Sequence, residues 1–296
     1  MLKRPQNLGV IHFIGIGGIG MSGIAEILFQ SGYQVQGSDL SISNNTIRLE
    51  KLGIKIYIGQ KKSNIVNAKI VVVSTAISEI NKEYVAAKKM FLPIVHRSEM
   101  LGELMRLKQS IAIAGTHGKT TTTSLIAKMI EENGMDPTII NGGIISSLNS
   151  NAKLGNGEWM VVEADESDGS FAKLNPTVAI ITNIDLEHLD YHKSEENLEK
   201  AFLHFVSSIP FYGFACLCID HPRTQKLISK LENKRVITYG LSANADIRAT
   251  DISYKNNKMF FSLNVSNQKE YFNKTYEIEF SMIGLHNIQN ALASIA

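Results

Sequence analysis

The chain has 296 residues, with 30 Lys and Arg against 28 Asp and Glu, and is 44% hydrophobic and 20% charged. That is an ordinary globular composition, and at roughly 150 residues per domain it suggests two domains, each with its own core. A formal net charge of +2 without a basic stripe argues against a nucleic-acid or membrane-surface protein, and no apolar run approaches the roughly 18 residues of a membrane span.

Lys3 and Arg4 precede an apolar run, as in a signal peptide, but that run carries His12 and four glycines and reads as mature structure. Leu8 to Ile14 is expected to be a buried strand, followed by a glycine-rich turn and a helix from Ile19 to Phe29 that ends near Gly32. Apolar runs at 35–37, 54–58, 70–74 and 93–95 alternate with helical stretches at 81–89 and 98–107. Such alternation implies a parallel sheet covered by helices. Lys108 and Gln109 then mark a boundary, giving domains 1–107 and 108–296. A second cycle opens with a strand at 110–114, a Gly and Thr loop at 115–120 and a helix from Thr121 to Glu132. Strands at 159–163, 178–182, 214–219 and 236–239 and helices at 195–207 and 224–231 continue it. From 245 to 280 alternation replaces the helical period, which suggests an antiparallel edge, and a last helix covers 285–296. Cys216 and Cys218 share one face of a strand and read as core thiols, which suits a reducing, cytoplasmic setting. The fold class expected is therefore α/β: a Rossmann-like domain, then a P-loop-type domain with an antiparallel edge.

The first loop, Gly15-Ile-Gly17-Gly18-Ile-Gly20, fits the G-x-G-x-x-G pattern between strand and helix, where backbone N–H groups face a pyrophosphate. Asp39, nineteen residues after Gly20, ends the second strand where an acid meets a ribose hydroxyl. The pattern suits NAD or a UDP-sugar equally, since both carry a pyrophosphate and a ribose. The second loop, Gly115-Thr-His-Gly118-Lys119-Thr120, supplies close backbone approach, an ammonium for β- and γ-phosphates and a hydroxyl for Mg²⁺. It is two residues shorter than the usual phosphate loop, since Ile113 stands where the first glycine would fall. His117 either meets phosphate or merely fills the loop.

Glu163, Asp165, Glu166 and Asp168 follow a strand end, so they are expected beside the phosphate loop. Like charges at 4 Å repel by roughly 4 kcal/mol at an effective dielectric of about 20, so carboxylates beside ATP demand a cation between them. Thr120 and Glu163 are the economical Mg²⁺ ligands. The next strand end carries Asn183, Asp185, Glu187, His188, Asp190 and His192, a dense acid and His segment with His188 the candidate for a second metal position, while Asp190 and His192 read equally well as a solvated loop.

The segments G-T-H-G-K-T-T-T, E-A-D-E-S-D-G-S-F (163–171), N-I-D-L-E-H-L-D-Y-H (183–192) and G-L-H-N-I-Q-N-A-L-A (284–293) together resemble the Mur ligases. Residues 15–22 and 97–106 look most like the branch of that family that joins L-alanine to UDP-N-acetylmuramate. The resemblance implies an ATP-dependent, Mg²⁺-requiring step of peptidoglycan synthesis in the cytoplasm. It makes Gly115, Thr116, His117, Gly118, Lys119, Thr120 and Thr121, with His286, Asn287 and Asn290, the ATP site. It makes Gly15, Gly17, Gly18, Ile19, Gly20, Met21, Asp39 and Ser74 the UDP-sugar site. Lys119, Glu163 and His188 become the catalytic set, and Thr120, Glu163 and His188 the metal ligands. The family has a third domain that receives the amino acid, and this chain stops just after the adenine-side motif, so a fragment inactive by itself is the expectation. Alternatives are the related ligase that attaches a recycled tripeptide, an NAD-dependent oxidoreductase, and a UDP-sugar-binding module without activity.

Overall fold

A computed structural model describes residues 8–145, 150–167, 169–187, 189–267 and 272–296. The first stretch of chain forms β1 (Val10–Ile14), α1 (Ile19–Gln30), β2 (Gln34–Asp39), α2 (Asn44–Lys51), β3 (Lys55–Ile58), β4 (Ala68–Val73), α3 (Lys82–Lys89), β5 (Ile94–His96) and α4 (Arg97–Met105). It continues as β6 (Gln109–Ala114), α5 (Lys119–Glu132), β7 (Thr138–Ile145), β8 (Ser150–Lys153), β9 (Trp159–Glu163) and β10 (Val178–Ile181). Then come α6 (Leu189–His192), α7 (Glu195–Ser207), β11 (Phe214–Cys218), α8 (Pro222–Ile228) and β12 (Val236–Gly240). The strands β13 (Ile247–Lys255), β14 (Lys258–Asn267) and β15 (Phe272–Phe280) precede the last helix, α9 (Leu285–Ile295).

Two units result: Met1–Lys108 with Asp136–Glu158, and Gln109–Met135 with Trp159–Ala296. In the first, a parallel sheet has the order β3-β2-β1-β4-β5, with β1 between β2 and β4. Strand order reverses on either side of β1, so a crevice opens at the carboxyl ends of β1 and β4, where ligands of such sheets bind. Ile11, Phe13 and Ile14 of β1 and Val71 and Val72 of β4 are fully buried, which is why these runs read as near-continuous apolar segments. Helix α1 buries Met21, Ile24, Ala25, Ile27 and Leu28 against the unit's interior. Helix α2, which the apolar spacing does not signal, starts at a capping box in which Ser43 and Thr46 satisfy each other's backbone N–H groups.

The segment 136–158, which the sequence reading includes in the second domain, belongs to the first unit. Its β7 and β8 pair antiparallel. Arg48 of α2 holds them, donating to Ser150 Oγ at 2.7 Å and Asn151 Oδ1 at 3.0 Å while forming an ion pair with Glu26 of α1. Ser150 Oγ also donates to Glu26 Oε2 at 3.0 Å, and Asn151 Nδ2 to the Ile19 carbonyl at 2.6 Å. Small polar side chains that resemble loop residues in the sequence are thus buried anchors. Arg48→Met should destabilise the chain by about 2 kcal/mol, because Glu26 keeps its charge without its cation. Urea denaturation checks this, and a midpoint unchanged from the parent would refute it.

Within the second unit the strands run β15-β14-β13-β12-β11-β10-β6-β9. Pairing is parallel from β9 to β13 and antiparallel from β13 to β15, so the antiparallel edge lies where alternation was read. Ile113, Val161, Ile180, Cys216, Tyr239 and Phe261 form the core with Ile288 and Leu292 of α9. Tyr239 is fully enclosed, and its hydroxyl donates to the Ile181 carbonyl at 3.1 Å. Both cysteines are free and buried, and burial pushes the thiols up to about 12 for Cys216 and about 11 for Cys218, values that leave them inert packing groups. Among the described residues no helix is long and apolar enough to cross a membrane.

Candidate functional site

Both glycine loops end in helices without a side-chain N-cap. Gly18 caps α1 and Gly118 caps α5, and neither helix receives a hydrogen bond from a capping side chain. An uncapped helix start leaves backbone donors and a partial positive charge for an anion.

In the first unit the loop is drawn onto the sheet by Gly15 N–H and Ile16 N–H, which donate to the Ser38 carbonyl at 2.8 and 3.0 Å. Gly17 N–H donates to Asp39 Oδ2 at 2.8 Å, and Asn45 Nδ2 to the Gly17 carbonyl at 2.8 Å. A Cβ on Gly17 would lie 2.8 Å from Asp39 Oδ2, so a larger residue there would push the acid away from the loop. Gly15, Gly17, Gly18, Ile19, Gly20 and Met21 thus sit together with Asp39 at the crevice, and Ser74 follows β4 at the same sheet end. Arg97, outside the sequence-derived site, brings its guanidinium against Gly20. The signal that could have found it is position, since it opens α4 directly after β5.

In the second unit α5 starts at Lys119, two residues before the start at Thr121 expected from sequence, because Gly118 adopts φ +83° and turns the chain into the helix. The space a Cβ would need there is filled by the Asn290 side chain of α9. Lys119 Nζ donates to the Gly115 and Thr116 carbonyls at 2.5 and 3.2 Å and to Glu166 Oε1 at 2.9 Å. Burial raises the Glu166 carboxyl, and the Lys119 ammonium offsets only part of that. Thr120 Oγ1 donates to Glu163 Oε2 at 2.8 Å. That hydroxyl and carboxylate are hard oxygen donors, a partial shell of the kind Mg²⁺ shares with phosphates and water. Among the described residues no three His, Cys, Asp or Glu side chains gather as a closed metal site. His188 and Asp168 lie outside the described residues.

The loop is braced from the next strand end. Thr182 Oγ1 and Asn183 Nδ2 donate to the His117 carbonyl at 2.6 and 3.0 Å, and His117 N–H donates to Asn183 Oδ1 at 2.9 Å. The His117 ring faces Asp185 and Glu187 at 3.6 and 3.7 Å. His192, readable from sequence as a solvated loop residue, is buried with Nε2 2.9 Å from the Glu166 carbonyl, while Asp190 is exposed. Thr122 Oγ1 donates to Asn290 Oδ1 at 3.3 Å, and Asn290 Nδ2 to Asn287 Oδ1 at 3.3 Å, so the motif on α9 stands beside the first turn of α5. His286 is exposed at the start of α9, and Thr121 is half-buried in α5. The fold therefore brings residues 115–121, Glu163, Glu166 and the α9 motif to one end of one sheet.

Comparison with known proteins gives the same frame. The signature described as the Mur ligase middle domain matches residues 113–296, and that described as the Mur ligase family catalytic domain matches residues 10–109. The UDP-N-acetylmuramate–L-alanine ligase of Methylocella silvestris is 56% identical over 100% of this chain and 63% of its own length. A crystal structure of a UDP-N-acetylmuramate-alanine ligase from Thermotoga maritima superposes with a TM-score of 0.83 at 29% identity, over 97% of this chain and 64% of that one. A UDP-N-acetylmuramate:L-alanyl-gamma-D-glutamyl-meso-diaminopimelate ligase from Neisseria meningitides gives 0.86 at 25% identity, over 97% and 92%. The chain thus spans a little under two thirds of the length of the curated relatives it matches. On the strength of a signature that covers more than half its residues, in a fold shared throughout, the chain belongs to the Mur ligase family.

Proposed function

We propose that the protein is the ATP-dependent ligase that joins L-alanine to UDP-N-acetylmuramate in cytoplasmic peptidoglycan synthesis. The observation that carries this is the uncapped start of α5, where Lys119 and the Thr120–Glu163 pair converge. The 56% identity to a relative of that name, against 25% to the tripeptide-type ligase, favours L-alanine over a recycled peptide. An NAD-dependent oxidoreductase would leave the second loop and its acids without a task.

A free carboxylate resists amide formation because its charge repels a nucleophile and oxide leaves poorly. Mg²⁺·ATP, when bound, would supply the phosphoryl group: a carboxylate oxygen bonds to the γ-phosphorus as the bond to ADP breaks, and the alanine amine then bonds to the acyl carbon, losing a proton as inorganic phosphate leaves. The residues' part is electrostatic and positional. The loop N–H groups at 115–121 and the Lys119 ammonium offset phosphate charge, and Lys119 would exchange the Gly115 and Thr116 carbonyls for phosphate oxygens. Thr120, Glu163 and, by the family resemblance, His188 would hold the metal, while His286, Asn287 and Asn290 would flank the adenine. Gly15, Gly17, Gly18, Ile19, Gly20 and Met21 receive the pyrophosphate, with Asp39 and Ser74 on the sugar side. No side-chain nucleophile is needed.

Thermal denaturation with each ligand tests the assignment. UDP-N-acetylmuramate at about 100 times its Kd should stabilise by about 2.7 kcal/mol, which is a rise of several degrees, and Mg²⁺·ATP should also protect. Protection by NAD with none from the UDP-sugar would replace this reading with the oxidoreductase.

A further inference from the structure

Asp220 and His221 join β11 to α8, and neither belongs to the sites above. Their side chains diverge. Asp220 Oδ2 accepts from Leu241 N–H at 2.8 Å and from Gln289 Nε2 at 2.7 Å, while Oδ1 accepts from Ser242 N–H at 2.9 Å and Ser242 Oγ at 2.7 Å. Gln289 lies on α9 between Asn287 and Asn290. His221 Nε2 lies 3.1 Å from Asp185 Oδ1. Asp185 in turn donates its backbone N–H to Thr116 Oγ1 at 2.8 Å and faces the His117 ring, so this arm ends in the phosphate loop.

We propose that Asp220 and His221 are positioning residues that fix the spacing between the phosphate loop and α9, so that one nucleotide is held at its phosphate and adenine ends together. This rests on the nucleotide reading of the second unit. Core packing of Ile288 and Leu292 seats α9, and the polar bonds that would fix its first turn against the loop differ in quality. The helix has no side-chain N-cap, and its bond to Thr122 through Asn290 is 3.3 Å long, against 2.7 Å for the Gln289–Asp220 bond. Burial alone would raise the Asp220 carboxyl, but the bonds from Ser242, Leu241 and Gln289 outweigh it and hold the group below the usual range. The acceptor is therefore charged at neutral pH and fully occupied by donors.

Isothermal calorimetry of Mg²⁺·ATP with the parent chain and three variants tests the proposal, each with its melting temperature. Gln289→Ala should weaken ATP about fivefold, the worth of one good hydrogen bond, equally at low and neutral pH. Gln289→Glu sets a carboxylate against Asp220 and should weaken ATP about twentyfold at neutral pH, recovering towards the parent as pH falls and the two carboxyls share a proton. His221→Ala should cost about threefold by loosening the loop arm. UDP-N-acetylmuramate affinity should be unchanged in all three. Parental ATP affinity in both Gln289 variants would overturn the proposal, as would a Gln289→Glu loss that does not respond to pH. Absence of ATP binding by the parent chain would instead overturn the nucleotide reading itself. Asp220→Ala is avoided because four donors would lose their acceptor and the chain could fail to fold.

Discussion

Lys119→Ala is expected to weaken Mg²⁺·ATP binding by about 100-fold, the loss of a charge-assisted contact to phosphate, while UDP-N-acetylmuramate binding stays intact. The first glycine loop that would take the UDP-sugar lies in the other unit. The substitution also has a cost unrelated to nucleotide. Glu166 is 3% exposed and relies on the Lys119 ammonium, so removing that cation leaves a buried acid with less compensation, worth about 2 kcal/mol of stability. Its pH dependence has a definite sign. An acid whose folded pKa lies above its ordinary value of 4.5 holds its proton more firmly when folded, so stability declines as pH rises from that value through the folded one. Losing Lys119 should steepen the decline. The double variant Lys119→Ala/Glu166→Gln should recover stability without recovering ATP affinity. Calorimetry and urea denaturation at several pH values separate the two effects, and a double variant that regains ATP binding would show that Lys119 acts through Glu166 alone.

Why some of this was legible in sequence and some was not comes down to the range of the interactions. Both glycine loops are local: strand, turn and helix follow one another, so Gly15–Gly20 and Gly115–Thr120 announce themselves. The buried parallel strands do so too, because apolar runs such as Val71–Val73 and Val178–Ile181 have no polar face to present. The antiparallel edge is visible as alternation at 258–265. What is not visible is polar burial. Ser150 and Asn151 look like loop residues, yet Arg48, about a hundred positions earlier, draws them into the first unit. Asp220, His221 and Gln289 carry no spacing signal, because their partners at 185, 241 and 242 come from other strand ends. His192 misleads for the same reason, since its acceptor is the backbone of Glu166. Helix α2 depends on a capping box more than on an apolar stripe, and α5 begins early because a left-handed glycine starts it.

The same kind of polar burial sets the largest expected loss of stability, at Glu83 in the first turn of α3. Its carboxylate accepts from Asn64 Nδ2 at 2.6 Å, Ser38 Oγ at 2.5 Å, Lys61 N–H at 3.2 Å and the His12 ring at 3.3 Å. Glu83 and His12 are both fully buried. Gln36 Nε2 lies 3.2 Å from His12 Nδ1, so the ring is held between Gln36 on one side and Glu83 on the other. One side chain thereby ties β1, β2, α3 and the turn at 61–64 into a single polar knot. Burial alone would raise the Glu83 carboxyl, but hydrogen bonds from His12, Ser38 and Asn64 and the charge attraction of His12 bring it below its ordinary value of 4.5. A carboxyl depressed in the fold contributes stability above its unfolded pKa, and that contribution is lost as pH falls through the folded one. Glu83→Gln replaces one acceptor oxygen by a donor that must face donors, so it should cost about 3 kcal/mol at neutral pH. The gap to the parent should be constant above about pH 5.5 and shrink below 4.5. Urea denaturation from neutral to acid pH is the measurement, and a gap that widens on acidification would mean that Glu83 is held as the neutral acid.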